Sequence, residues 1–138
     1  MKKKAIISLV SKQDDNEEDS IEVVTPGDFY KKDDCYYAVY NETQITGMQD
    51  TTTTLKINAD KFSLIRIGST STNMNFMKKG EDIALYDTPY GTMELKIFTK
   101  NLDINVNDEG GKVMIDYIMS IEGYKPQNTV LEINIKTN

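Results

Sequence analysis

The only arginine in the chain, Arg66, sits in the stretch FSLIRIG, residues 62–68, between Ile65 and Ile67. In strict alternation it shares a face with Phe62 and Leu64, while Ser63, Ile65 and Ile67 point the other way, so the apolar count leaves open which face is inside. On the outside it is an ordinary surface charge. On the inside a guanidinium that keeps its proton needs a partner, because an unpaired buried charge is very costly. Glu42 is the expected partner, with a tyrosine hydroxyl from Tyr40, Tyr86 or Tyr90 filling the remaining bonds. An inward Arg66 has two uses. It can clamp the interior as a purely structural pair, or it can offer a bidentate fork to the carboxylate or phosphate of a small ligand. Arg66, Glu42, Tyr40, Tyr86 and Tyr90 are therefore the candidate ligand-binding residues.

Other residue types exclude more chemistry than they supply. The chain has no histidine, so neither Cys35, its single cysteine, nor the threonine run Thr51–Thr54 has an evident activating base. β-branched threonines favour strands, which accounts for the run. Cys35 reads as a buried or half-buried small hydrophobe. Residues from Asp103 begin like a calcium loop, but position six is Asp108 instead of glycine and position twelve is Met114 instead of glutamate. One cysteine and no histidine leave no zinc set. The acidic pairs Asp33-Asp34, Glu81-Asp82 and Asp108-Glu109 fall in turns, where charges are solvated. Tyr and carboxylate acid–base chemistry, with a protonated Glu42 as its candidate acid, is all that stays open. The expectation is a protein that is not an enzyme, with no catalytic residue, metal or cofactor.

Short strands must position these groups, because alternation with period two dominates the chain. Val113, Ile115, Tyr117, Met119 and Ile121 form one face of what reads as the longest strand, and Met114 and Ile118 lie on its outer face beside Asp116, Ser120 and Glu122. Leu131, Ile133 and Ile135 repeat the pattern, as do Met93, Leu95 and Ile97, and separately Leu102, Ile104 and Val106 within residues 101–107. Turn signals recur at Pro26-Gly27-Asp28, Asp33-Asp34, Asn58-Ala59-Asp60, Lys79-Gly80, residues 107–111 and residues 124–126. Residues 14–19, DDNEED, read as a solvated loop in the first hairpin. Strands 35–42, 51–57 and 62–67 alternate poorly, which suits an interior that is partly polar. Tyr36, Tyr40, Tyr86, Tyr90 and Tyr117 offer apolar rings with polar tips for such an interior, while Met74, Met93, Met114 and Met119 read as gap-fillers.

The length of 138 residues fits one domain, 1–138, and the 38% hydrophobic content supports one core. A formal charge of -6 opposes nucleic acid and anionic lipid, and the Lys2-Lys3-Lys4 run reads as a solubilising terminus. The apolar part of the amino terminus, Ala5–Val10, is too short for a signal peptide, and no stretch is long enough for a membrane helix. The expected location is the cytoplasm, with no nucleic acid and no membrane as partner.

Three ordered stretches, YAVYNETQITGMQDTTTTLKI (37–57), LIRIGSTSTNMNF (64–76) and LYDTPYGTMELKIFT (85–99), resemble the YwiB-like family of small bacterial proteins. The family pattern of Tyr-x-Glu, Arg-x-Gly and Met-x-Phe is matched by Tyr40-Asn41-Glu42, Arg66-Ile67-Gly68 and Met74-Asn75-Phe76. That family is similar to the calycins, the closed antiparallel barrels that include lipocalins. The resemblance implies an all-β, calycin-like antiparallel barrel and carries no activity. Two functional expectations stand side by side. One is a binding module for a small amphipathic or anionic ligand around Arg66; the other is a filled barrel whose surface, motivated by Met114 and Ile118, meets a protein partner or forms a homo-oligomer.

Overall fold

Alternating apolar residues make the chain a single antiparallel sheet, because each strand can bury one face only by curling the sheet upon itself. The computed structural model describes residues 2–13, 16–42, 51–68, 71–78, 80–121 and 125–137. Its strands are β1 (Lys3–Gln13), β2 (Asn16–Lys32), β3 (Cys35–Asn41), β4 (Thr51–Ile57), β5 (Lys61–Gly68), β6 (Thr72–Met77), β7 (Glu81–Thr88), β8 (Gly91–Asn107), β9 (Gly110–Ile121) and β10 (Gln127–Thr137). They run in the order β6-β5-β4-β3-β2-β1-β10-β9-β8-β7. The sheet closes into a nearly complete barrel where β6 meets β7. There Ser71 and Asp87 exchange two backbone hydrogen bonds of 2.9 and 2.8 Å. Farther along the seam the Asn75 amide donates to Asp82 at 3.1 Å. The all-β antiparallel barrel expected from the sequence is thus the fold observed.

The interior is filled from the clearly alternating strands and from the poorly alternating ones alike. Phe29, Phe62, Phe76, Ile7, Leu55, Ile57, Ile97, Val113, Ile115 and Ile133 are all fully buried. Phe76 touches both Phe62 and Tyr117, with ring centroids 6.1 and 4.9 Å apart. One end of the barrel is tied shut around the β8–β9 turn. Tyr36, stacked on Phe29, donates to the Asp108 carboxylate at 2.7 Å, and Lys3 donates to the Asp108 carbonyl at 2.8 Å.

Several turns are where the sequence puts them. Asp33 and Asp34 take φ of 53° and 66°, the conformation of a two-residue hairpin whose twist matches the strands. The Asn58 side chain accepts from the Asp60 and Lys61 amides, a local bond that turns the chain. Other expectations need correcting. Pro26-Gly27-Asp28 is not a turn but the interior of β2, with Pro26 opposite Ile6. Pairing of β2 with β3 begins only at Asp28, so Pro26 lies where the strand has one partner, the setting that tolerates a missing N–H. Gly27 serves close approach, since a Cβ there would lie 2.5 Å from the Val39 carbonyl oxygen and 2.6 Å from Ile7. Of DDNEED, Asn16–Asp19 already belong to β2, while Asp14 and Asp15 lie outside the described residues.

The runs 93–97 and 101–107 are one strand, β8. A bulge between Thr99 and Asn101 switches the inward set from Leu95, Ile97 and Thr99 to Leu102 and Ile104. At 17 residues each, β2 and β8 outrun the 12 of β9, which is not the longest strand. Because β9 reaches β8 only as far as Leu95, the β8 arm of the β7–β8 hairpin has no β9 neighbour near its tip. Met93, expected inside, is exposed for that reason. Met114 and Ile118 are half-buried.

Candidate functional site

Away from the tied end, hairpin registers assemble one row of side chains across four strands. Tyr40 of β3 lies opposite Thr53 of β4, Thr53 opposite Arg66 of β5, and Arg66 opposite Thr72 of β6. Glu42 follows two residues after Tyr40, and its amide donates to the Thr51 carbonyl at 2.8 Å. That bond carries the β3–β4 ladder one step past the strand end, so Glu42 turns to the same inward face as Tyr40.

Arg66 therefore points in, and the Glu42 partnership expected from the sequence is present. Nε of Arg66 lies 3.9 Å from Oε1 of Glu42, with side-chain exposures of 18% and 1%. This is an ion pair without a hydrogen bond. Glu42 Oε1 instead accepts from the Thr53 hydroxyl at 2.6 Å, and Nε of Arg66 is buried with no hydrogen-bond partner. The Thr72 hydroxyl beside it in the register is likewise buried and unpartnered.

Two tyrosines complete the electrostatics. Burial, reinforced by the Glu42 charge, pushes the Tyr40 phenol well above its ordinary value, while the Arg66 charge pulls the other way. Burial also raises Tyr117, against a hydrogen bond with Thr129 and the charge of Arg66. Both phenols are neutral at neutral pH and serve as polar tips on apolar rings.

These groups border a partly enclosed cavity of about 250 Å³. Its walls come from Leu9 and Ser11 of β1, Ile21 and Val23 of β2, Tyr40 and Glu42, Leu64 and Arg66 of β5, Met74 and Phe76 of β6, Tyr117 of β9 and Leu131 of β10. An apolar cavity of about 150 Å³ admits benzene, so this one has room for a ring and a small head group. The lining is mostly apolar with a few convergent polar groups, the usual make-up of a small-molecule site.

Of the five candidate residues, the fold brings Arg66, Glu42 and Tyr40 together. It does not bring Tyr86 and Tyr90 to them. Tyr86 is half-buried on β7 and packs against the core opposite Met93, and Tyr90 is fully exposed in the β7–β8 turn. Tyr117 joins the site as a wall. Thr53 and Thr72 are the residues that sequence reasoning missed. The signal for Thr53 was the Asn58–Asp60 turn: a hairpin folded there sets it opposite Arg66. Among the described residues, no group of three or more His, Cys, Asp or Glu side chains converges on a point that would hold a metal. No helix is long and apolar enough to cross a membrane.

Comparison with known proteins agrees with this architecture. Residues 7–133 match the family described as "Domain of unknown function (DUF1934)". Over 124 residues, 88% of this chain and 86% of the relative, the sequence is 30% identical to the "Uncharacterized beta-barrel protein YwiB" of Bacillus subtilis (strain 168). The crystal structure of ywiB protein from Bacillus subtilis superposes with a TM-score of 0.88, covering 99% of this chain and 93% of the other at 24% identity. At that identity the superposition speaks for the fold alone.

Proposed function

Since this chain belongs to the DUF1934 family of β-barrel proteins, we propose that it is a non-enzymatic, calycin-like binding module of the cytoplasm that holds a small amphipathic molecule in the cavity beside Arg66. The observation that carries this reading is the 250 Å³ space itself, bordered by a half-buried arginine whose Nε is buried with no hydrogen-bond partner. A clamp that served structure alone would close its hydrogen bonds within the chain, because an orphaned buried donor costs about 1–3 kcal/mol. A ligand acceptor would recover that cost. Ring-sized amphipathic fragments screened by saturation-transfer NMR are the test. Binding is expected in the wild type and lost in Leu64→Phe, which fills the cavity from one wall. Failure of every fragment to bind the wild type would refute the reading.

A second reading, a surface that meets another protein or a second copy, is favoured by one observation. Ile83 and Leu85 on the outer face of β7 are 60% and 61% exposed, next to the half-paired seam. Such neighbouring apolar exposure on a sheet face is a common mark of association. Light scattering of the wild type against Ile83→Ser/Leu85→Ser tests it. An equal, monomeric mass for both would remove the homo-oligomer.

A further inference from the structure

The charge balance of the cavity selects among head groups. Among its described lining residues, Arg66 and Glu42 are the charged ones, and they oppose each other at 3.9 Å. The remaining elements face the pair with neutral groups: Tyr40 from β3, Tyr117 from β9, Ser11 from β1 and Leu131 from β10. Among the described lining residues, one acidic and one basic side chain face each other and the rest are neutral.

A carboxylate or phosphate placed against the guanidinium would sit beside the Glu42 carboxylate, which is itself 1% exposed. Like charges sharing a buried site disfavour each other strongly. The hydrogen-bond inventory favours another head. Arg66 Nε–H lacks an acceptor. Glu42 Oε1 takes a bond from Thr53, and a carboxylate accepts roughly four. Both residues line the cavity, but the Glu42 side chain is 1% exposed and Nε is closed off, so a donor reaches Glu42 and an acceptor reaches Nε–H through a shift of the 18%-exposed Arg66 side chain.

We propose that the ligand is a neutral molecule with an amide-type head, a carbonyl acceptor beside an N–H donor as in a carboxamide, lactam or urea, on an apolar body the size of one ring. The carbonyl meets Arg66 and the N–H meets Glu42, so the head bridges a gap the pair itself leaves unbonded. This inference rests on the binding reading above and narrows it, from amphipathic or anionic to neutral.

The test compares benzamide with benzoate, two probes with the same ring, by NMR titration at neutral pH. Benzamide is expected to bind the wild type about tenfold or more tightly than benzoate, and Glu42→Gln is expected to reverse the order by leaving the guanidinium as the one lining charge. Benzoate binding the wild type as tightly as benzamide, or no reversal in Glu42→Gln, would overturn the proposal while leaving the binding reading in place. Binding of neither probe would overturn both. Should Glu42→Gln not fold, cyclohexanecarboxamide against cyclohexanecarboxylate on the wild type repeats the comparison without a variant, and a preference for the carboxylate overturns the proposal.

Discussion

The two ends of the barrel solve the same packing problem with different chemistry. At the tied end the interior is hydrocarbon: Ala5, Phe29, Ala38, Ile57, Val113 and Ile135 are buried. Its charges stay outside, where Lys3, Tyr36 and Asp108 link the strand ends over the filled core. At the other end β2 and β3 stop pairing beyond Asp28 and Val39, the charges lie inside, and space remains. One end makes the fold hold; the other spends packing on polarity and volume. Natural sequences depart from a fully apolar core mainly at functional sites, and among the described residues the buried charge, Glu42, is at the cavity end.

That contrast can be broken by mutation. Phe29→Ala at the tied end should cost about 3–5 kcal/mol of unfolding free energy in urea titration while leaving fragment binding in the cavity unchanged. A loss of binding would mean that the two ends are mechanically coupled. Arg66→Met should cost about 3 kcal/mol, at the low side for a broken buried pair because the Arg66 side chain is 18% exposed. Arg66→Met/Glu42→Leu should regain most of that loss, since a pair replaced by apolar residues is often neutral. A double variant as unstable as the single one would show that Glu42 is held by Thr53 and not by the arginine.

Titration separates the ends more gently. The hydrogen bond from Tyr36 outweighs desolvation and, with Lys31 and Lys3, holds Asp108 below its ordinary 3.8. A depressed carboxyl contributes stability above its ordinary value and loses it as pH falls through the folded-state value. Melting temperature should therefore drop less between about pH 5 and pH 2 in Asp108→Asn than in the wild type, with the cavity unaffected. In base the sign reverses for the phenols. Tyr40, raised by burial and then by Glu42, contributes stability below its ordinary 10.0 and loses it as pH rises beyond. Tyr36, raised by its bond to Asp108, acts the same way at the tied end. Tyr40→Phe should soften the alkaline transition, and circular dichroism across pH 9–12 follows it. An unchanged transition would place the alkaline weakness at Tyr36 or Tyr117.

The sequence made the tied end and the C-terminal strands legible because their interior is uniform. Where one face is purely apolar, as in Val113, Ile115 and Tyr117, period two identifies the strand and its inner side at once. The cavity end resisted the same reading because its inner face mixes Arg66 with Leu64, and Glu42 with Tyr40, so polarity no longer marks the outside. Thr53 illustrates the difficulty. Taken alone it is one of four strand-forming threonines; only its register opposite Arg66 makes it the residue that anchors Glu42. The bulge near Lys100 hid the continuity of β8 in a similar way, since a shift from odd to even inward positions looks like a break between elements. Pro26-Gly27 misled because its physical demand is one-sided pairing and close approach, not chain reversal.

The strand order has a kinetic consequence. Among the laddered neighbours, every pair is adjacent in sequence except β1 with β10, which meet along nine residue pairs from Ala5↔Thr137 to Gln13↔Thr129. Two local meanders, β1–β6 and β7–β10, can each grow by successive hairpins, but joining them through β1–β10 closes a loop of nearly the whole chain. That closure carries an entropy cost of roughly 4 kcal/mol before the first cross-strand contact repays it, which makes it the natural rate-limiting event of folding. Covalently joining the chain ends beside Ala5 and Thr137, and opening the chain instead at the turn between β6 and β7, would turn that distant ladder into one more hairpin. The permuted barrel would reach the same fold faster.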